Sequence, residues 1–175
     1  MPIPVLSFGS ISTVKEIAIG NVFILPMESE TVVAMMVGSS LEHEQLRIAV
    51  LSEPTTTKQK RFELLNSAFY LSNTAVVVED ATFVLSSEPK NMLAWQKQNQ
   101  SGIILRGASE SITLGEGQTR KCVDLATGFY TQRPDTDALA LAYTAWSLVR
   151  QFHEHGRTVT IPMCDWKLPS EPSRQ

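Results

Sequence analysis

A chain of 175 residues has room for one domain of ordinary size, with a core that needs no disulfide or metal staple. With 43% hydrophobic and 19% charged residues, its composition is that of a globular protein and excludes a disordered chain. A net charge of -3 gives no general attraction to phosphate backbones or anionic lipid, so neither nucleic acid nor a membrane is expected as a partner.

The chain opens on Met1-Pro2-Ile3-Pro4-Val5-Leu6, with two early prolines and no positive charge before the apolar residues, unlike a signal peptide. Ser12 to Ile19 alternates in part, Gly20-Asn21 offers a turn, and Val22 to Leu25 closes at Pro26, which together predict a hairpin. Thr31 to Val37 reads as a buried strand ended by Gly38-Ser39-Ser40. Its Val32 to Val37 stretch is the longest strongly apolar run and is far too short to span a bilayer. The next segment can be read two ways. Ser39 and Glu42 have the spacing of a capping box, whereas Leu46 to Leu51 suits a strand by composition, and a strand is the expectation.

Phe62, Leu65 and Phe69 recur at helical spacing and predict a short helix over about 59–71. The basic run Lys58 to Arg61 just before it, like Arg120-Lys121, reads as solvated surface. Val76 to Val78 and Thr82 to Leu85 flank Glu79-Asp80 as a hairpin would. Pro89 near the start and Gly102 near the end bracket a second predicted helix, since proline suits the first helical turn and glycine the residue after the last. Ile103 to Leu105, Ile112 to Leu114 and Cys122 to Leu125 are three more strands.

The longest predicted helix runs from about Asp135 to His155. Asp135 or Thr136 caps its start, and Leu139, Ala142, Tyr143, Trp146, Val149 and Phe152 follow at three- and four-residue steps. Arg150, His153 and Arg157 supply cations where the helix dipole favours them, and Gly156 supplies a left-handed terminator. Thr158 to Ile161 then reads as the last strand. The expected fold is therefore α+β: mainly antiparallel or mixed β-sheet with two or three helices, the longest near the C-terminus and packed on the sheet. One domain is expected over 1–168, with a polar tail over 169–175.

No phosphate loop, Gly-x-Ser-x-Gly elbow, Cys-x-x-Cys or His-Glu-x-x-His occurs, so no cofactor and no metal is expected. Gly115-Glu116-Gly117 reads as a turn, because Glu116 would stand where a phosphate sits. The candidate catalytic set is Cys164, Asp165, His153 and His155, a thiol with an imidazole base at the end of the predicted helix. Asp165 beside the thiol would disfavour the thiolate, and cysteine is often a buried hydrophobe. Cys122 and Cys164 read as reduced thiols, although spacing alone leaves their pairing open. Arg106, at a strand end before Gly107, is the candidate for gripping an anion.

The reading these features support is a cytoplasmic, non-catalytic binding or assembly protein. It would associate through its β-rich surface, with itself as a homo-oligomer or with another protein. The alternatives are a small cysteine- or histidine-dependent enzyme at the helix end and a module binding a small ligand in a pocket.

Overall fold

Runs rich in β-branched residues, such as Val22–Pro26, Thr31–Ser39 and Thr74–Val78, form strands. The computed structural model describes residues 9–27, 30–39, 46–52, 64–86, 88–91, 102–106, 109–114, 121–131, 140–154 and 156–166. Among these, the strands are β1 (Gly9–Thr13), β2 (Val22–Pro26), β3 (Thr31–Ser39), β4 (Arg47–Val50) and β5 (Leu64–Asn66). β6 (Thr74–Val78), β7 (Ala81–Leu85), β8 (Lys90–Asn91), β9 (Ile103–Arg106) and β10 (Ser109–Leu114) follow. The series ends with β11 (Lys121–Asp124), β12 (Phe129–Thr131), β13 (Leu141–Tyr143), β14 (Trp146–Glu154) and β15 (Arg157–Trp166).

Twelve strands make one sheet in the order β1-β6-β2-β3-β12-β11-β10-β9-β13-β8, with β4 on β3 and β5 on β4. β15, β14 and β7 make a second. Every described pairing is antiparallel except β3 with β12.

β3 joins the two halves of the large sheet. Val33 turns its backbone toward β4: its N–H donates to Ser52 Oγ at 2.8 Å and its carbonyl accepts from Leu51 N–H at 2.8 Å. Met36 turns the other way and exchanges bonds with Gly20 and Asn21 just before β2. Gly38 has the same parity as Met36, and its N–H donates to the Gly128 carbonyl at 3.1 Å. β12 thus takes over the edge of β3 where β2 leaves it. Both faces of β3 are buried, which is why its sequence is a continuous apolar run. Val32, Ala34 and Met36 pack with Phe23, Leu25, Ile48 and Val50 on one side. Met35 and Val37 pack on the other with Ala49, Ile103, Ile112, Val123, Trp146 and Leu148.

The α+β expectation fails: no helix of seven or more residues occurs among the described residues. Of the predicted C-terminal helix, the described part, 140–154, carries β13 and β14, and β14 forms a hairpin with β15; 135–139 and 155 lie outside the described residues. Two features imitate a helical period. The chain breaks between β13 and β14 at Thr144-Ala145, which resets the alternation. A register shift between Leu148 and Val149, where Met163 is the extra residue of β15, then leaves Trp146, Leu148 and Val149 all buried. The polar end of the supposed stripe is also accounted for, because the Arg150 guanidinium lies 4.9 Å from the centre of the Phe152 ring two residues along the same strand. Gly156 is left-handed, at φ 74°, but it turns a hairpin rather than ending a helix.

Over the helix predicted at 59–71, the described part is β5 followed by a single 3-10 turn at Ser67–Phe69. Of the helix after Pro89, Lys90–Asn91 is a strand, and 92–101 lie outside the described residues. The two predicted hairpins are also re-paired. β6 inserts between β1 and β2, and β6 and β7 meet at a sharp corner where each joins a different sheet. Asp80 makes that corner with φ 58°. The strands predicted at Thr31 to Val37, Leu46 to Leu51, Ile103 to Leu105, Ile112 to Leu114, Cys122 to Leu125 and Thr158 to Ile161 are present in β3, β4, β9, β10, β11 and β15. No helix of the described residues is long and apolar enough to cross a membrane.

Candidate functional site

The hairpin of β14 and β15 separates the candidate catalytic residues. His153 stands opposite Thr158, and Cys164 stands opposite Leu148. Five residue steps along β14 therefore separate the imidazole from the level of the thiol, about 17 Å at a strand's rise. The His153 ring is exposed, with Nε2 3.5 Å from the Thr158 hydroxyl. Asp165 faces away from the Cys164 thiol, because neighbouring residues of a strand point to opposite faces. His155 lies outside the described residues. Arg106 is opposite Ser109 where β9 turns into β10, and its side chain is also outside them. Neither Cys122 nor Cys164 is in a disulfide. Burial pushes the Cys122 thiol up, a hydrogen bond with Ser111 opposes this, and the Asp124 charge adds to the rise. Among the described residues, no three His, Cys, Asp or Glu side chains gather where a metal ion could sit.

An open cleft of about 400 Å³ lies where the start of β2 meets the β6–β7 corner, lined by Gly20, Asn21, Val22, Val77, Val78, Glu79, Asp80 and Ala81.

The feature best suited to an interaction is the outer edge of β1. β1 ends the order of the large sheet and pairs only with β6 among the described residues. The pairing runs Gly9↔Val78 to Thr13↔Thr74, and the next residue, Val14, donates its N–H to the Asn73 carbonyl at 3.0 Å. Backbone groups alternate sides along a strand, so Ser10 and Ser12 face β6 with Val14. Gly9, Ile11 and Thr13 face outward. The Thr13 N–H bears this out: it donates away from the sheet to the Glu16 carboxylate at 3.4 Å, while the Thr13 hydroxyl donates to the same oxygen at 2.7 Å. The hydroxyl first, and the N–H second, hold the Glu16 carboxyl below its ordinary pKa.

At the centre of the edge, the Ile11 side chain is 78% exposed. Phe69 and Leu71 are exposed as well, and Leu71 lies just past the end of β1, where its carbonyl accepts from Lys15 N–H. One signal for this edge is present in the sequence, the uncharged run Gly9-Ser10-Ile11-Ser12-Thr13, but placing the first strand at Ser12 hides it. No family model, curated protein or solved structure matches the chain.

Proposed function

We propose that this is a non-catalytic binding or assembly protein that associates through the edges of its sheets. The observation that carries the reading is the outer edge of β1, where an exposed isoleucine sits among outward-facing N–H and carbonyl groups. Such an edge is a template for another strand. Natural edges are commonly blunted by lysine, proline or an inward charge, and Gly9 to Thr13 contains none of these. The apolar residues Phe69 and Leu71 nearby extend the surface that a partner would cover.

Sedimentation velocity over a range of protein concentrations tests the reading. Association that grows with concentration is the expected result. A chain that stays strictly monomeric up to about 1 mM, the weak end of specific affinity, overturns it.

A further inference from the structure

The geometry points to a second copy of this chain as the occupant of the β1 edge, paired antiparallel about a two-fold axis through Ile11. This deepens the association proposed above and rests on it. The outward residues Gly9, Ile11 and Thr13 are symmetric about Ile11. A two-fold axis there sets Ile11 against its own copy as a pair exchanging both N–H···O bonds, and sets Gly9 against Thr13 on each side. An axis at Ser10 or Ser12 would instead set Ile11 against Gly9 or Thr13 of the second copy and leave the two isoleucines apart.

The side chains fit the same register. The two Ile11 side chains, exposed in the single chain, cover one another on one face. On the opposite face Ser10 meets Ser12 of the second copy. Each copy carries a net charge of -3, yet no charged side chain occurs from residue 1 to Thr13, so the seam brings no like charges into opposition. A five-residue strand covers much less than the roughly 800 Å² per partner of a standard stable interface, so the pairing is a weak, reversible dimer. Thr13 holds one donor back from the seam, because its N–H is taken by Glu16.

Two variants test the pairing against the wild-type chain. Ile11→Lys places two ammonium groups across the axis while leaving the β6-facing backbone intact, and it is expected to weaken dimerisation by about tenfold or more with an unchanged circular dichroism spectrum. Ile11→Cys, made with Cys164→Ser, is expected to give a covalent dimer on mild oxidation, since hydrogen-bonded antiparallel partners have Cα atoms about 5.5 Å apart, within disulfide range. Val84→Cys in the same Cys164→Ser background, on β7 and also among the exposed large hydrophobic residues, is expected to give none. If the wild type associates but Ile11→Lys associates equally well and Ile11→Cys gives no covalent dimer on oxidation, the β1 pairing is overturned and association by another surface survives. A strictly monomeric wild type overturns both.

Discussion

At Gly128 a single hydrogen atom in place of a methyl group lets the two halves of the large sheet meet. The turn from β11 to β12 is tied by Asp124, whose side chain accepts from the Thr127 N–H at 2.8 Å and the Thr127 hydroxyl at 2.9 Å, while its carbonyl accepts from Gly128 N–H at 2.8 Å. That turn drives Gly128 against the backbone of Gly20. A Cβ on Gly128 would lie 2.5 Å from Gly20 N and 2.7 Å from Gly20 Cα, and its φ of 72° is itself unfavourable for a side chain. The obstruction is main chain and cannot swing aside. Gly128→Ala is therefore expected to cost about 2–4 kcal/mol, from backbone strain plus overpacking, read as a lower urea midpoint at unchanged slope. A loss under about 0.5 kcal/mol would mean that the junction between β3 and β12 relaxes freely. Gly38, on the facing strand, is crowded by the Ile19 and Phe129 side chains, which are softer neighbours.

At the scale of elements, the 3-10 turn Val14–Glu16 closes the end of β1 and sets a pH dependence. Glu16 is fully exposed, and its pKa is lowered by the Thr13 hydroxyl and N–H. The folded state therefore favours the carboxylate. The contribution is whole above the ordinary glutamate pKa and is lost as pH falls through the lower folded-state value. The Thr13 amide proton should report this directly by NMR, moving with a midpoint below that of a free glutamate and losing the transition in Glu16→Gln. A midpoint at or above the ordinary value would show that the bond does not form in solution.

Elements also divide what could be read in advance. Strands that are short apolar runs, such as β3, β4, β9 and β11, were legible because composition alone marks a strand buried on both faces. The strands β13 and β14 were not, because the break between them and the bulge at Leu148/Val149 are set by pairing with β15 and β7, tertiary partners that override local propensity. For the same reason the distance between His153 and Cys164 was invisible: it is a register, and register is tertiary. The β1 edge was half legible, since the run has no charge, but its place at the end of the sheet depends on β6 arriving from more than sixty residues away.

The molecule as a whole turns on whether its two sheets stand or fall together. Among the described residues Trp146 is the largest fully buried side chain, and it sits on β14 of the small sheet with its ring 5.2 Å from that of Phe83, edge to face at 74°. The cluster that encloses it draws Val22, Met35 and Val37 from one half of the large sheet and Ile103, Ile112 and Val123 from the other. No sheet can leave without stripping that cluster from the rest. Trp146→Ala should then cost about 3–5 kcal/mol, a large share of the roughly 5–15 kcal/mol that holds an ordinary domain folded. The loss should also be felt everywhere. Far-UV circular dichroism and tryptophan fluorescence are expected to trace one coincident urea transition in the wild type, and Gly128→Ala should move both traces by the same amount although its site is on the large sheet alone. Two separated transitions, with the Trp146 fluorescence (read with Trp95 and Trp166 replaced by Phe) lagging the circular dichroism, would mean that the small sheet keeps Trp146 buried after the large one has gone, and that the shared cluster does not couple them.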